Sequence, residues 1–566
     1  MNPVHNFIVL WSEIAVLVLG LAMALVVPDA GSRLLSPFRT IIHWMVRRPL
    51  WATVFSFSLA PFLRLLAWPL VHLRYPAIHD EFSFLLLGDT FASGRLTNPT
   101  HPFWIHFETM HVIQRPTYAS IYPVVQGVFL AIGEGMAHAP WLGVWLSMAL
   151  FCAALYWMLR AWVPRFWAIA GTALATVRFG IFSYWMNSYW GGTAAALGGA
   201  LLLGALPRVF RYRRMRDAFW LALGSAILAN SRPYEGFFFC LPVVVVFLAW
   251  GLGSEGPARW FGFRLRRDDP RSKRNVVAVL VLSLAVAAVG MGYYFWRVTG
   301  NPLKMPYSVE AEQYGITPLF VWQDLRPEPH YNNATLRYFF VEWAPTRASL
   351  FDRLHEDWRF YVGPALSLPL LASLAKFRRG RTRFLLAVSG AVVVAVAIEW
   401  WSQPHYISPM TAALYALLMQ GLRQLRAKFG RYRHAPSRWR GLITLAPLVV
   451  VIMIAVRIAL SEVSIPLGSD ALFDSPTLGH FVSSRSQVEN FLLQQGGKNL
   501  ILVRYTNHEN ARVHAEWVYN TANIDRQAIV WARELDEEHN RKLREYYKDR
   551  KAWLCSPDER MLVPLD

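Results

Sequence analysis

Two adjacent carboxylates, Asp80 and Glu81, stand directly before the apolar run Phe82, Phe84, Leu85, Leu86 and Leu87, with Phe91 beyond it. Carboxylates in this setting can take a proton from an attacking hydroxyl, or simply begin a helix, where the positive end of the helix dipole favours them. Spacing alone leaves both readings open. Neighbouring residues on a helix diverge by about 100°, so the pair is read as dividing roles between its members and not as chelating one ion.

Other groups with chemical potential fall in the same part of the chain or at matching turns. His101, Trp104, His106, Glu108 and His111 form a polar and aromatic stretch. His106, Glu108 and His111 are weak candidates for a metal site, because a loop fixes no ligand geometry and no cysteine joins them. Ordinary interfacial histidines are the simpler reading, so no cofactor is firmly expected and a divalent metal is left open. Three turns carry polar groups beside apolar segments: Asn187-Ser188-Tyr189-Trp190-Gly191-Gly192, Asn230-Ser231-Arg232-Pro233-Tyr234-Glu235-Gly236 and Gln403-Pro404-His405-Tyr406. Charge at membrane depth is costly, which singles out Arg64, Arg178, Arg232, Glu235, Glu399 and Arg457. Trp and Tyr are enriched at membrane interfaces whatever the function, so of these turns Arg232 and His405 carry the functional expectation.

The elements that must position these groups are membrane spans. The chain has 566 residues, 54% hydrophobic and 17% charged, and apolar runs of about 20 residues recur along most of it. The formal charge of +20 is parcelled out between those runs and forms no continuous stripe, which argues against a nucleic-acid partner. Five basic clusters, at Arg33 to Arg48, Arg208 to Arg216, Arg264 to Arg274, Lys376 to Arg383 and Arg423 to Arg440, act instead as cytoplasmic topology signals. Threading the chain through them gives roughly twelve spans. They lie near Phe7 to Val27, Leu50 to Leu73, Pro140 to Leu159, Phe166 to Tyr184, Gly191 to Pro207, Ala218 to Asn230, Gly236 to Leu252, Asn275 to Trp296, Phe360 to Leu374, Phe384 to Trp400, Tyr406 to Leu422 and Leu442 to Leu460. The first run has no Lys or Arg before it and contains Glu13, so it is read as a span and not as a cleaved signal.

This assigns 1–460 to a membrane domain with outer loops at 74–139 and 297–359, both too long to be mere connections. In the first loop an interfacial helix is expected to begin at Asp80 and Glu81, and a second at Thr117 to Ile132. The segment 461–566 is expected to be a small extracytoplasmic α/β domain. Its helices are placed at Ser486 to Gln495 and Glu537 to Tyr547, and its strands at Asn499 to Tyr505, Gln527 to Ala532 and Lys551 to Cys555. It lacks a glycine-rich phosphate loop. His508 to Tyr519, with His514, Glu516 and Trp517, is read as a surface loop entering a helix. Cys152 and Cys240 fall within spans, so with Cys555 they form no disulfide framework.

An acidic pair after an early span, a first loop with interfacial helices, an Arg-Pro turn, an outer His-Tyr-x-x-Pro at His405 to Pro409 and a soluble tail together resemble the GT-C superfamily. Its members are polyprenyl-phosphate-sugar-dependent transferases such as the protein O-mannosyltransferases of glycosyltransferase family 39 and the lipid A aminoarabinose transferase. The resemblance covers roughly Arg74 to Leu460. This chain departs from it by an additional span before the acidic pair, and its tail matches no familiar acceptor-binding module.

The resemblance implies a membrane glycosyltransferase that moves a sugar, with inversion, from a polyprenyl-phosphate donor to a lipid, glycan or protein acceptor on the outer face of a bacterial inner membrane. Asp80 would be the general base and Glu81 would orient the acceptor. Arg232, with Lys304 or Arg297, would hold the donor phosphate, and His405, Tyr406, Asn187 and Tyr189 would contact phosphate or sugar. The alternative function is a membrane transporter or flippase of a lipid-linked substrate, against which stands the lack of paired repeats with broken short helices in matching positions. A scaffold whose tail is the working part is the third reading.

The distribution of basic clusters makes the topology testable. A tag after Pro564 should react with an impermeant reagent in intact spheroplasts, and one at Ser254 should not. Labelling at Ser254 alone would invert the assignment.

Overall fold

The computed structural model describes residues 3–27, 33, 36–69, 75–76, 78–266, 269–430, 449, 484–506 and 516–565. In chain order, its principal helices before the tail are Pro3–Val26 (α1), Arg39–Arg47 (α2), Pro49–Leu66 (α3), His79–Ala92 (α4), Val124–Ala137 (α5), Pro140–Trp162 (α6), Arg165–Phe179 (α7) and Thr193–Tyr212 (α8). They continue with Met215–Ala229 (α9), Pro233–Gly251 (α10), Pro270–Thr299 (α11), Pro306–Gln313 (α12), Leu350–Tyr361 (α13), Gly363–Leu374 (α14), Gly380–Ile398 (α15) and Thr411–Gly430 (α16). Proline opens α3, α6, α10 and α11, where its missing N–H costs nothing and its fixed φ suits the first turn.

Six of the described helices, α3, α6, α8, α10, α11 and α15, are long and apolar enough to cross a membrane. Twelve spans are therefore not seen. The windows at Phe166 to Tyr184, Ala218 to Asn230 and Phe360 to Leu374 yield helices of 15, 15 and 12 residues, shorter than a bilayer crossing of about 20 needs. In the first of these, the residues past Phe179 go into bends around a one-turn helix, Tyr184–Asn187, that lie beside the site. The window at Leu442 to Leu460 lies outside the described residues but for Val449.

Helix α8 is the centre of the bundle, with nearly all of its span buried. Its sequence, rich in Ala and Gly, lets neighbouring backbones approach closely. The closest approach is at Gly199, where a Cβ would overlap the carbonyl oxygen of Pro409. That contact seats the His405 to Pro409 turn on α8. Helix α11 is the opposite case: Val281, Leu282, Val286 and Val289 are exposed along it, a surface suited to lipid.

The first outer loop folds differently from the expected pair of interfacial helices. Val112–Ile113 (β1) pairs antiparallel with Ala119–Ser120 (β2), and helix α5 begins only at Val124. Pro123 is the reason, because it holds extended backbone at the N-cap and disfavours the helical region for the residue before it. Helix α4 forms where expected, yet it is sandwiched between α5 and the tail, with Ser83, Phe84, Leu86, Leu87 and Thr90 buried. Gly88 lets α4 and α5 meet, since a Cβ there would sit 2.7 Å from the Leu130 Cβ.

The tail contains Ser484–Gln495 (α17), Asn499–Val503 (β3), Ile529–Arg533 (β4), Glu537–Tyr546 (α18), Lys551–Ser556 (β5) and Met561–Pro564 (β6). The sheet order is β4-β3-β5-β6. Strand β3 is parallel to both neighbours, in the register Leu500 to Val530 and to Ala552, and β6 adds an antiparallel edge. A central parallel strand is covered on both faces, which suits the unbroken apolar run Leu500 to Val503. Glu516 and Trp517 are buried in this domain and belong to no surface helix; residues 507–515, His514 among them, lie outside the described residues.

Replacing Gly199 by Ala should push the His405 turn away from α8 and lower the thermal stability by about 1–3 kcal/mol. Gly135, whose Cβ direction is open, should tolerate Ala with no loss. Equal thermal midpoints for the two variants would refute the close approach.

Candidate functional site

Asp80 is the second residue of α4. The cap position is held by Ile78 in extended backbone, without a side-chain bond, so Asp80 is not spent on capping. Its carboxylate instead accepts the Tyr122 hydroxyl through Oδ1, while Oδ2 lies 2.9 Å from His79 Nδ1. His111 packs edge-on against His79, with ring centres 4.7 Å apart.

His111 is fixed from behind. Its backbone N–H donates to Glu310 Oε1 at 2.6 Å, and its Nδ1 lies 3.1 Å from Glu310 Oε2. Its backbone is left-handed, with φ 61°. Ser83 one turn along α4 donates to the His111 carbonyl at 2.6 Å and meets Ser120 Oγ at 2.7 Å. The small sheet and α4 thus hold each other in register around Asp80.

Burial alone would raise the Asp80 carboxyl. The His79 charge and hydrogen bond, with His111 and the Tyr122 hydroxyl behind them, reverse that shift and hold it well below the usual carboxylate range. Asp80 is therefore ionised yet largely enclosed, its side chain 16% exposed.

Glu81 points elsewhere. It is buried and accepts the backbone N–H of Tyr189 at 3.1 Å, tying the start of α4 to the turn before α8. The Tyr189 carbonyl in turn accepts from Gln126 of α5 at 2.8 Å. Asn187 is likewise structural in its contacts: its Oδ1 accepts from Arg64 Nε at 2.7 Å and its Nδ2 donates to the carbonyls of Ile181 and Ser183.

Arg232 occupies the cap position of α10. Its guanidinium lies 4.2 Å from the centre of the Tyr406 ring and 3.8 Å from Glu235 Oε1. The ion-pair distance exceeds hydrogen-bond range, and no side-chain hydrogen bond joins Arg232 to another described residue. It sits 21% exposed at a helix start, an arrangement suited to an anion.

His405 is buried against Trp190, ring centres 4.6 Å apart, with Nδ1 3.1 Å from the Tyr184 hydroxyl. Burial and then the Arg232 charge hold its imidazole well below the ordinary value, with Asp80 pulling weakly the other way. The Tyr406 hydroxyl feels Arg232, Glu399, Glu235 and Asp80 in turn after burial. Asp80, Arg232, His405 and Tyr406 thus share one electrostatic neighbourhood. Lys304 pairs with Glu312 near the surface, and Arg297 donates to the Tyr293 hydroxyl of its own helix at 3.3 Å.

Of the candidate metal ligands, the structure brings only His111 to Asp80. His106 Nδ1 faces the Arg533 carbonyl at 2.8 Å, and Glu108 accepts from Tyr314 at 2.6 Å and Asn332 at 2.8 Å. The grouping with metal-ligand geometry among the described residues is His79, Asp80 and His111, whose ligand atoms lie within 4.8 Å of one another. Sequence reasoning misses His79, Tyr122 and Glu310. His79 is signalled only as the neighbour of Asp80; Tyr122 and Glu310 reach the site through loop folding, which leaves no periodic signal.

The tail completes the enclosure. Phe82 stacks on Tyr519 with ring centres 4.5 Å apart and planes 3° from parallel. The Arg485 guanidinium lies 4.9 Å from the Phe82 ring and donates to the Trp517 carbonyl at 3.1 Å and the Tyr519 carbonyl at 3.0 Å. Farther along α4, the carboxylate of Asp89 accepts the Ala522 N–H at 2.7 Å.

No model of a known protein family matches the sequence, and no curated protein matches it. Among solved structures, the chain is similar to ArnT from Cupriavidus metallidurans bound to undecaprenyl phosphate, with a TM-score of 0.49 and 14% identity over 89% of this chain and 93% of that one. It is also similar to the archaeal oligosaccharyltransferase AglB from Archaeoglobus fulgidus in complex with an inhibitory peptide and a dolichol-phosphate. That likeness has a TM-score of 0.44 and 11% identity over 91% of this chain and 70% of that one.

Removing the stack by Tyr519→Ala should cost about 3 kcal/mol or more of stability as a large-to-small core change and loosen the first turn of α4. Hydrogen exchange at the Phe82 and Ser83 amides should accelerate over that at α8 amides. Unchanged exchange at α4 would show that the tail does not hold it.

Proposed function

We propose that this chain is a membrane glycosyltransferase that moves a sugar from a polyprenyl-phosphate donor to a hydroxyl of a lipid, glycan or protein acceptor at the outer face of a bacterial inner membrane, with the tail on that face. The observation that carries the reading is an ionised, enclosed carboxylate, Asp80, in one electrostatic neighbourhood with an arginine whose guanidinium rests on Tyr406 and hydrogen-bonds to no described side chain.

The reaction asks two things of a protein: a base for the acceptor proton and positive charge for the departing phosphate. The acceptor oxygen attacks the anomeric carbon, its proton passes to the Asp80 carboxylate, and the sugar–phosphate bond breaks with its electron pair on the phosphate oxygen. Configuration inverts because one displacement occurs. Arg232 faces the phosphate with a planar fork that can donate twice. Neutral His405 and the Tyr406 ring wall that region. Glu81, bound to the Tyr189 backbone, orients the helix start. Lys304 and Arg297 supply further positive charge at the second outer loop and reach the phosphate only if their present partners are given up.

His79, Asp80 and His111 offer two imidazoles and a carboxylate, a donor set that suits a divalent cation such as zinc or manganese. We propose such an ion as a cofactor that would offset phosphate charge; it would take one Asp80 oxygen and leave the other, released by the Tyr122 hydroxyl, for the acceptor proton.

Protein in nanodiscs with a polyprenyl-phosphate sugar donor tests the reading by mass spectrometry of the products. Asp80→Asn should lower transfer by about 10²-fold or more while donor binding persists. Glu81→Gln should retain more activity, since its carboxamide oxygen still accepts the Tyr189 N–H. Arg232→Lys should weaken donor binding without unfolding. Parental transfer by Asp80→Asn would leave the transporter reading in its place, and activity indifferent to strong chelators would remove the cation.

A further inference from the structure

We propose that the end of the membrane domain opposite Asp80 binds the phosphate of an anionic phospholipid. Helix α8 starts just after Tyr189, which holds Glu81, and its 20 residues carry the chain about 30 Å to Tyr212. Helix α11 runs the other way, from Pro270 to Thr299, where the Val298 carbonyl accepts from Thr117 of the first outer loop at 2.9 Å. The far ends of these helices meet at a shallow pocket of about 580 Å³, open to the surface and lined by Arg213, Arg214, Met215, Arg216, Ser272 and Asn275.

Its lining is selective for negative charge. Three of the six lining residues are arginines and none is a carboxylate. Among the described residues neither Arg214 nor Arg216 forms an ion pair. The nearby acids stand outside the lining: Asp269 accepts the Ser272 N–H at 3.3 Å as the cap of α11, and Asp217 is buried in the first turn of α9. The first turn of α9, at Met215, opens to the cavity with no side-chain cap and adds the partial positive charge of its N–H groups, whereas the start of α11 is already capped by Asp269.

The arginines are also placed. Arg213 takes a left-handed backbone, φ 49°, and its guanidinium donates to the carbonyls of Asp269 and Arg266 at 3.1 Å each. It thereby fixes the loop after α8 against the loop before α11. A charge that served only as a topology signal would need no such anchoring and no cavity.

The two helices whose ends form the pocket also carry uncovered apolar side chains. Helix α9 exposes Met215, Phe219 and Trp220, and α11 exposes Val281, Leu282, Val286 and Val289. A phosphate that arrives with acyl chains satisfies both surfaces: the headgroup enters among the arginines, and the chains lie along α9 and α11. A soluble phosphate would use the first surface alone. Basic pockets between spans on the cytoplasmic side take anionic headgroups for the same electrostatic reason.

Purified full-length protein would be titrated with phosphatidylglycerol or phosphatidylcholine and weighed intact by native mass spectrometry. Phosphatidylglycerol should be retained and phosphatidylcholine lost. Arg214→Gln and Arg216→Gln should each weaken retention about 5-fold, from roughly one arginine's worth of surface attraction, and the double variant about 25-fold with an unchanged thermal midpoint. Equal retention of both lipids, or a folded double variant that holds phosphatidylglycerol as the parent does, would overturn the site. A measurement that leaves the arginines intact guards against misfolding. Ser272→Cys should be shielded from a water-soluble thiol reagent in phosphatidylglycerol nanodiscs and not in phosphatidylcholine nanodiscs. Millimolar inorganic phosphate should not shield it; equal shielding by phosphate would transfer the site to a soluble anion and overturn the lipid.

Discussion

The stack of Phe82 on Tyr519, under the Arg485 guanidinium, is the contact on which the rest of the site depends. Helix α4 has 14 residues, a length at which an isolated helix is marginal in water. It is stable because it is buried on several sides at once. Aromatic stacking contributes about 0.5–1.5 kcal/mol beyond the area it buries, and a desolvated cation over a ring adds about 2 kcal/mol. These terms fall on Phe82, two residues from Asp80. The opposite face is set by close approach, Gly88 against Leu130, which leaves the helix no room to shift toward the membrane domain.

With the helix fixed, the electrostatics of Asp80 follow from its neighbours. An enclosed carboxylate with no partner would protonate. Here His79 and the Tyr122 hydroxyl keep it ionised, and Glu310 stiffens His111 from behind. Arg232 belongs to the same field but is not paired with Asp80; its nearest carboxylate is Glu235, at 3.8 Å. Asp80 is partnered by His79 and Tyr122, whereas Arg232 is desolvated with its carboxylate beyond hydrogen-bond range, a poor contribution to stability. That arrangement leaves the guanidinium able to take an anionic ligand.

The class of the protein and the position of its acidic pair are legible in the amino-acid sequence, because both rest on strong local signals. Apolar runs announce helices, and an acidic residue before such a run announces a helix start. Strand β3 is legible for the same reason, as an unbroken apolar run. Features that depend on the third dimension leave no such mark. The residues after Phe179 look like the end of a span, yet they fold into the bends and one-turn helix that hold Asn187 and Tyr189. Pro123 marks the true start of α5, and the apolar pattern from Thr117 onward obscures it. His106, Glu108 and His111 lie close in sequence and point three ways, because the loop that bears them turns between Arg533, Tyr314 and Glu310.

By composition the tail is a separate domain, and its sheet does have a core of its own around Ile501, Val503 and Trp531. Its other face is covered in part by the tail itself, through Ile524 and through Leu543 and Tyr547 at the end of α18, and in part by another segment. Leu500, Leu502, Tyr519, Val530 and Leu543 pack into a single apolar cluster with Leu86, Phe107, Val112 and Tyr118 of the first outer loop. His101 closes the edge of that cluster with Asp525 and Tyr547 of the tail, each 3.2 Å away. A face that buries part of its large side chains against another segment loses stability without it, since each buried Leu or Phe contributes about 1.5–3 kcal/mol. The first outer loop is in the same position, with α4 short and its two strands only two residues long. The segment that carries Asp80 and the tail therefore order each other. A displacement of Tyr519 is therefore felt directly at Phe82, two residues from the carboxylate.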